Sequence, residues 1–278
     1  MHGTATLGAA WHDAGRRIDR LDARLLLEHV CGCTHTDLIA HSERQLTADQ
    51  AARFAALLAR REAGEPLAYL LGSAFFCGLE FAVSPAVLIP RPETEVLVEQ
   101  AEMQALKWAT PRIVDMGTGS GIVAILLAGR CPAADVTAVD VSSTALEVAR
   151  RNAERHGVSV RFLEGDWYSP LGDERFDLIV SNPPYVAVGD PHLQQNGLPF
   201  EPQMALTDAV IGGQGLACIR TLIEGAGSHL LPAGWLMIEH GYNQAVQVRE
   251  LLRASGFSAV TSWRDGAGIE RVSGGQRL

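Results

Sequence analysis

The fold is decided by one stretch, Arg112-Ile113-Val114-Asp115-Met116-Gly117-Thr118-Gly119-Ser120-Gly121. Its first half is an apolar run with the length of a buried strand, and its second half alternates glycine with small hydroxyl residues. Glycines at such a turn let a ligand approach the backbone closely. The spacing differs from the dinucleotide-binding fingerprint, in which two further residues separate the second and third glycines. The stretch therefore predicts a strand, a tight ligand-binding turn and a following helix.

Strand-like and helix-like segments alternate after this point. Besides 112–116, the predicted strands are 134–139, 158–163, 176–180, 234–239, 259–263 and 269–273. The predicted helices between them are 122–130, 142–156, 215–230 and 243–254. Strands that alternate with helices of this length are typical of a parallel sheet covered by helices. The sequence thus predicts an α/β fold.

Asp115 lies within the first of these strands, and carboxylates follow the next two. Asp140 comes 19 residues after Gly121, at the end of the second strand, where a carboxylate can accept both hydroxyls of a ribose. Asp166 and Trp167 end the third strand and can flank an adenine, with Asp166 accepting from its exocyclic amine. Because the carboxyl ends of parallel strands form one crevice, we predict a nucleoside site without a pyrophosphate. Its candidate residues are Asp115, Gly117, Thr118, Gly119, Ser120, Gly121, Asp140, Asp166, Trp167 and Asn182.

A stiff elbow follows the fourth strand, Ser181-Asn182-Pro183-Pro184-Tyr185. Two consecutive prolines fix the backbone and remove two donors, and a residue before a proline is held extended. The Asn182 side-chain oxygen and the Pro183 carbonyl can accept both hydrogens of a planar amide NH2, and Tyr185 can stack on its plane. The predicted catalytic residues are Asn182 and Pro183, with Pro184 and Tyr185 beside them in a substrate site.

The first 72 residues carry helical rather than strand patterns. Ile18, Leu21, Leu25, Leu26 and Val30 recur at helical spacing, and a second helix is predicted to begin at Thr47, with Gln50 three residues later. Phe75 to Val83 reads as a hairpin around Gly78. We therefore expect a helical docking domain over 1–74, a hairpin and linker over 75–91, and the α/β domain over 92–278.

One arginine is pinned in the predicted linker. Arg91 lies between Pro90 and Pro92, so its backbone is held extended. A guanidinium fixed in this way can clamp a ligand. We therefore count Arg91 among the candidate substrate-binding residues, with a solvated hinge as the alternative.

Composition limits the classes of function. The chain has 278 residues, a net charge of −9 and no apolar run long enough to cross a bilayer, and the first ten residues show no signal-peptide pattern. Such a charge argues against a large sequence-independent DNA-binding surface. The five cysteines form no zinc-ligand pattern, so we predict reduced thiols in the cytoplasm and no metal site.

The motifs together resemble a known group. The glycine stretch 115–121 followed by Asp140 looks like the class I S-adenosylmethionine-dependent methyltransferases, whose sheet is Rossmann-like. The elbow 182–185 is similar to the tetrapeptide of those members that methylate NH2 groups of adenine, guanine or glutamine. Segments 64–70, 76–79, 88–95, 190–193 and 200–202 are similar to the bacterial release-factor glutamine N5-methyltransferases.

This resemblance implies a substrate, a cofactor and further residue roles. The methyl donor would be S-adenosyl-L-methionine, and the methyl acceptor would be the glutamine of the Gly-Gly-Gln loop in peptide-chain release factors. Glu201, in the stretch Phe200-Glu201-Pro202, is a candidate for orienting the substrate. No direct nucleic-acid or membrane partner is expected.

Three alternatives remain open at this point. Glutamine methyltransferases of ribosomal proteins share the hairpin, the Pro-Arg loop and the elbow, although residues 91–95 and His192-Leu193 favour the release-factor branch. A nucleic-acid amino methyltransferase would normally carry a basic face, and residues 183–278 contain no lysine. A catalytically silent S-adenosylmethionine-binding module would not need both an intact glycine turn and an intact elbow.

Overall fold

The computed structural model describes residues 5–278, and helices make up its N-terminal part. These helices are α1 (Leu7–Ala14), α2 (Arg20–Cys31), α3 (His35–Ala40), α4 (Ala48–Glu62) and α5 (Leu67–Leu71). Thr47 caps α4, and its side chain and that of Gln50 exchange hydrogen bonds with each other's backbone, as the sequence predicts. The predicted absence of a signal peptide concerns residues 1–10, of which 1–4 lie outside the described residues.

Residues up to Ser73 and Gln194–Phe200 form one compact unit, and Ala74–Leu193 with Glu201–Leu278 form a second. In α2 of the first unit, Leu26 and Val30 are buried as predicted, but Leu21 is 52% exposed. At 3.6 residues per turn, Leu21 lies about 140° around the helix from Leu26. The buried stripe of this helix uses Ala23 and Leu27 instead, so the predicted apolar face was wrong at Leu21.

A short hairpin begins the second unit. It consists of β1 (Ser73–Phe76) and β2 (Leu79–Ala82), which pair only with each other among the described strands. The two turn residues, Cys77 and Gly78, both have positive φ, +47° and +78°. Positive φ at both central residues is the geometry of a tight two-residue hairpin turn. The predicted hairpin around Gly78 is thus confirmed.

The rest of the second unit alternates strands and helices. The strands are β3 (Arg112–Met116), β4 (Asp135–Asp140), β5 (Arg161–Glu164), β6 (Phe176–Ser181), β7 (Leu230–Glu239), β8 (Ser258–Arg264) and β9 (Glu270–Gln276). The helices are α6 (Thr94–Ala105), α7 (Ile122–Arg130), α8 (Ser143–His156), α9 (Gln203–Leu206), α10 (Ala217–His229) and α11 (Ala245–Ala254). Short 3₁₀ turns lie at Ser169–Leu171 and Pro191–Gln194, and a third, Leu198–Phe200, belongs to the first unit. The predicted α/β fold is confirmed.

The seven strands of this sheet have the order β5-β4-β3-β6-β7-β9-β8. All neighbouring pairs from β5 to β7 are parallel, whereas β9 runs antiparallel to both β7 and β8. The chain leaves β3 toward β4 and β5, then returns to the other side of β3 with β6. Such a reversal of strand order opens a crevice at the carboxyl ends of the strands. The topology therefore places a ligand site at the ends of β3, β4 and β6.

Both faces of the sheet are buried. Alternate strand residues point to opposite faces, so Ile113 packs against one hydrophobic cluster and Val114 against the other. Helices α6 and α7 cover the first face, and helices α10 and α11 cover the second. A sheet covered on both sides explains why its strands read as continuous apolar runs in the sequence.

The chain contains a Gly-Gly-Gln tripeptide of its own, Gly274-Gly275-Gln276, which lies within β9. Both glycines are buried, and the Gln276 side chain donates to the carbonyl of Ala233. This segment is therefore sheet structure and cannot act as an exposed copy of a substrate loop. No helix within residues 5–278 combines the length and apolar character needed to cross a membrane.

Asn152 of α8 connects the hairpin to the glycine turn. Its Nδ2 donates to the carbonyls of Ala82 (3.0 Å) and Ser120 (2.9 Å), and its Oδ1 accepts from the amide of Ala82 (2.7 Å). The side chain is fully buried. One amide thus satisfies three backbone groups and fixes the turn against β2.

We expect Asn152→Ala to lower the free energy of unfolding by about 2–4 kcal/mol, because buried backbone groups would lose their partners. Urea denaturation of the full chain measures this loss. Glu154→Ala, at an exposed position of the same helix, is the matched control and should change stability by no more than about 0.5 kcal/mol. Equal stability of the two variants would show that Asn152 does not brace the turn.

Candidate functional site

A cavity of about 460 Å³ lies at the carboxyl ends of β3, β4 and β6. The sequence-predicted residues that line it are Arg91, Asp115, Gly117, Thr118, Gly119, Ser120, Asp140, Asp166, Trp167, Asn182 and Pro184. Further lining comes from residues 86–88, 139–142, 202–205 and 207–209, with Thr94 and Cys218. Most of the predicted nucleoside site and part of the predicted elbow site thus share one cavity.

The glycine turn is held by the end of β4. The amides of Gly117 and Thr118 both donate to the carbonyl of Val139, at 2.9 and 3.0 Å. Gly121 faces packing rather than the cavity: a Cβ there would lie 2.9 Å from the Ile125 side chain and 3.0 Å from that of Ala149. Its φ of +84° also favours glycine. The predicted cofactor role of Gly121 is therefore indirect, because it lets the turn pack on α7 and α8.

Asp115 braces the same turn from below. It is fully buried, and its Oδ2 accepts from the Thr118 hydroxyl (2.6 Å) and from the amide of Ala124 (3.3 Å). Burial raises the pKa of Asp115 to about 7, and the two hydrogen bonds offset only part of this effect. Its Oδ2 is thus committed to holding the turn in shape.

Asp140 has hydrogen-bonding capacity left for a ligand. Its Oδ2 accepts from the amide of Gly119 (2.8 Å) and its Oδ1 from the amide of Ser142 (2.9 Å). A carboxylate offers about four lone-pair positions, so about two remain. Burial raises the pKa of Asp140, and the backbone donors partly counteract this rise. The arrangement can accept two adjacent hydroxyl groups, one on each oxygen.

Residues that follow β5 provide one wall of the cavity. The indole of Trp167 packs over Gly117, with 3.6 Å between the ring and the place that a Cβ of Gly117 would occupy. Trp167 has a positive φ of +45°, a strained backbone of the kind found at functional sites. Asp166 is exposed at the cavity, and none of its side-chain atoms forms a hydrogen bond within the described residues. An acceptor and an aromatic wall therefore lie side by side, as predicted.

The elbow is anchored to the neighbouring strand and to α6. Ser181 is fully buried and donates to the carbonyl of Met116 at 2.7 Å. The Nδ2 of Asn182 donates to the hydroxyl of Thr94, the first residue of α6, at 3.1 Å. Because its nitrogen is engaged there, Asn182 has its side-chain oxygen left for a ligand in the cavity. This is the acceptor that the sequence predicts.

Tyr185 differs from the expectation that its ring stacks on a substrate amide. Its ring packs against the hydrophobic cluster that contains Ile219 and Ile238, and its hydroxyl donates to Oε1 of Glu239 at 3.2 Å. Among the described residues, Asn182 and Pro184 of the elbow line the cavity, whereas Tyr185 and the buried Pro183 do not. The Tyr185 ring therefore packs against the hydrophobic core on one face of the sheet and not against the cavity.

Arg91 and Glu201 form one unit rather than two separate substrate contacts. Glu201 is buried, and its Oε1 accepts from Arg91 at 2.5 Å while its Oε2 accepts from the amide of Ile89 at 3.0 Å. Both oxygens of Glu201 are thus engaged, so any effect of Glu201 on the orientation of a substrate would act through Arg91. Arg91 lines the cavity, and the remaining donors of its guanidinium face no other side-chain partner within residues 5–278.

The sequence reasoning missed two residues of this region. Thr94 fixes Asn182, and Glu239, at the end of β7, binds Tyr185. A signal for Glu239 exists, because this carboxylate ends an apolar strand just as Asp140 does. Thr94 offers no comparable signal, since a threonine that begins a helix reads as an ordinary helix-start residue.

Comparison with known proteins places the chain in context. Residues 6–72 match the family described as the PrmC N-terminal domain, and residues 92–195 match the family described as the methyltransferase small domain. The release factor glutamine methyltransferase of Burkholderia pseudomallei is 51% identical over 266 residues, covering 93% of this chain and 92% of that protein. The protein of the same name from Escherichia coli is 43% identical over 258 residues and covers 92% of each chain.

A solved structure supports the fold. The T. thermophilus 16S rRNA N2 methyltransferase, determined with AdoMet and guanosine, has a TM-score of 0.55 and 21% identity to this chain. The match covers 74% of this chain and 50% of that one. At this identity the likeness concerns the fold alone, and it agrees with the class I methyltransferase sheet expected from the sequence.

Asp115→Asn tests the buried carboxylate beneath the turn. A carboxyl group whose pKa is raised from 3.8 to about 7 on folding stabilises the folded state below pH 3.8, and this contribution is lost as the pH rises toward 7. The unfolding free energy of the variant minus that of the unchanged chain should therefore increase by at most about 4 kcal/mol over that range. Denaturant titrations at several pH values measure the difference. A difference that stays flat would show that Asp115 does not titrate in this way.

Proposed function

The chain belongs to the release factor glutamine methyltransferases, and from this premise we propose that it transfers a methyl group from S-adenosyl-L-methionine to N5 of the glutamine in the Gly-Gly-Gln loop of a peptide-chain release factor. The observation that carries the proposal is the position of Asn182. Its side-chain oxygen is left for a ligand in the same cavity that holds Asp140 and the glycine turn. A nucleoside site and an amide-binding acceptor in one cavity suit methyl transfer to an amide nitrogen.

The cavity fits the donor on the chain's own residues. The two oxygens of Asp140 can take the two ribose hydroxyls, and Asp166 and Trp167 provide the acceptor and the wall for the adenine. A Cβ at Gly119 would have no atom within 4 Å, so the backbone of the turn is open to a ligand there. When bound, S-adenosylmethionine would supply an electrophilic methyl group on its sulfonium.

The elbow would position the amide that receives the methyl group. An amide nitrogen is a weak nucleophile because its lone pair is delocalised into the carbonyl, so alignment is the main task of the protein. The side-chain oxygen of Asn182 would accept one of the two N–H hydrogens, whereas Pro183, whose carbonyl was expected to accept the other, does not line the cavity. The Asn182 acceptor would also stabilise the positive charge that grows on nitrogen during transfer. We assign no catalytic base, since the proton becomes acidic only after the methyl group has been transferred.

Membership of this family also favours the proposed function over the three alternatives that the sequence left open. Relatives that cover more than nine tenths of the chain carry the release-factor name, which favours this branch over enzymes that act on ribosomal proteins. The rRNA methyltransferase named above shares the sheet at only 21% identity, so it does not favour a nucleic-acid substrate here. A silent binding module has no need for the hydrogen-bonded Asn182 side chain beside the nucleoside site.

We assign a separate role to each of three parts of the chain. We propose that residues 1–74 dock the release factor, that 75–91 link the two parts, and that 92–278 carry out the transfer. Support comes from the separate helical core of the first unit, which is built around Leu26, Leu27 and Phe54. Because release factors act in translation, the proposed compartment is the cytoplasm.

Asp140→Ala should weaken S-adenosylmethionine binding by about 2 kcal/mol, roughly 30-fold, because a charged acceptor of two hydroxyls is lost. Isothermal titration calorimetry measures the affinity. Glu164→Ala is the control, since it removes an exposed carboxylate at the end of neighbouring β5 that does not line the cavity. Unchanged affinity in Asp140→Ala would remove Asp140 from the proposed donor site.

Asn182→Ala should lower kcat on a release factor by at least ~100-fold, the usual loss for one orienting hydrogen bond in a transition state. Donor affinity should change little, because the residues proposed for the nucleoside stay in place. Mass spectrometry of the methylated glutamine gives the rate. Asn182→Asp keeps an acceptor but loses the NH2 group that donates to Thr94. Its kcat should therefore lie between that of Asn182→Ala and that of the unchanged chain. Near-normal turnover in the alanine variant would disprove the proposed centre.

A further inference from the structure

The last residue of the elbow lies against a second segment of the same unit, the loop over residues 207–215. Gly215 is buried, and a Cβ at this position would overlap the carbonyl oxygen of Tyr185. Its φ of +71° also favours glycine. The loop and the elbow are therefore packed backbone against backbone at this point.

One side-chain amide joins the two segments. Gln244 directly precedes α11 and is buried. Its Nε2 donates to the carbonyl of Tyr185, in the elbow, at 3.0 Å. In the loop, the same nitrogen donates to the carbonyls of Gln214 at 2.8 Å and Gly215 at 3.4 Å. Because carbonyl oxygens only accept hydrogen bonds, these groups can be buried side by side only with a donor between them, and Gln244 is that donor.

The other end of the Gln244 amide fixes its direction. Its Oε1 accepts from the backbone amide of Gly241 at 2.8 Å. If the side-chain amide were turned by 180°, its oxygen would face carbonyl oxygens and its NH2 group would face an N–H group. Only the observed orientation satisfies all of these partners, so the NH2 group stays on the side of the elbow and the loop.

Both of the joined segments line the cavity. Asn182 and Pro184 come from the elbow, and residues 207–209 come from the loop. Consecutive prolines have a fixed φ, so a shift at the Tyr185 end of the elbow is passed on toward Asn182. Within residues 5–278 the lining of the cavity does not include Gln244, which therefore affects it only through the segments that it holds.

We propose that Gln244 is a positioning residue that ties the elbow to the loop over residues 207–215 and thereby sets the place of the Asn182 oxygen in the cavity. It touches neither proposed ligand and acts through the carbonyl of Tyr185. This inference rests on the proposed function, because the place of that oxygen matters only if an amide NH2 group binds there.

The first test removes the donor. In the full chain, Gln244→Met keeps the approximate length of the side chain and loses its NH2 group. Turnover of a release factor is followed by mass spectrometry, and S-adenosylmethionine affinity is measured by calorimetry. Gln104→Met is the matched control, because Gln104 is also buried, near the C-terminal end of α6, and accepts from Lys107. Among the described residues, the cavity lining does not include Gln104.

A second pair of variants changes the same contact from the loop. Gly215→Ala places a methyl group against the carbonyl of Tyr185. Gly212→Ala is its control, because Gly212 has a similar φ of +72° and a Cβ there would meet no described atom within 4 Å. The backbone strain of the two alanines is comparable, so the difference between them reports the contact with the elbow. The double variant Gln244→Met with Asn182→Ala tests whether the two side chains act as one unit.

We expect Gln244→Met and Gly215→Ala to lower kcat about 10-fold or more relative to their controls, with donor affinity kept within about 3-fold because Asp140 stays in place. The double variant should be no slower than Asn182→Ala. Rates equal to those of the controls, or losses that multiply in the double variant, would overturn the inference. Should circular dichroism show that Gln244→Met does not fold, the comparison of Gly215→Ala with Gly212→Ala decides alone. Failure of the unchanged chain to methylate the release factor would instead refute the proposed function.

Discussion

The glycine turn between β3 and α7 is the constraint on which the site depends. At Gly121 a Cβ would meet the side chains of Ile125 and Ala149 at 3.0 Å or less, so only hydrogen fits between the turn and the two helices. This close packing lets the turn reach the end of β4, where Val139 accepts from Gly117 and Thr118. Asp140 is then close enough to bind the amide of Gly119. The nucleoside cradle is therefore a consequence of dense packing behind the turn.

Much of the second unit could be predicted from the sequence. Apolar runs, helix starts and the glycine turn follow from period and composition, and the helix predicted over 122–130 agrees with α7 at both ends. Other features depend on contacts between distant segments, which no local pattern encodes. Three such features are the position of antiparallel β9 between β7 and β8, the exposure of Leu21, and the ion pair of Arg91 with Glu201. A residue's type shows what it can bind, whereas its partners decide what it does bind.

The elbow shows the same limit within five residues. Its stiffness and the acceptor on Asn182 follow from the two prolines and from the amide itself. The direction of Tyr185 does not, because an aromatic ring after a strand can turn either toward a crevice or toward the core. In this structure the ring packs into the core, because it contacts the cluster that contains Ile219 and Ile238, and its hydroxyl donates to Glu239. The tyrosine thus joins the elbow to β7 instead of covering a substrate.

Asp115, Asp140 and Glu239 lie at or next to the ends of apolar strands, and their partners give them three different tasks. Asp115 is buried, and its Oδ2 accepts from Thr118 and Ala124, so this oxygen holds the glycine turn. Asp140 binds two backbone amides and still has lone pairs that face the cavity. Glu239 is buried, accepts from the Tyr185 hydroxyl on Oε1 and has no hydrogen-bond partner on Oε2, so its task is to hold Tyr185 against β7. Burying a charged carboxylate costs free energy, and hydrogen bonds from nearby donors offset part of this cost. The donors that surround each carboxylate therefore indicate what that carboxylate holds in place.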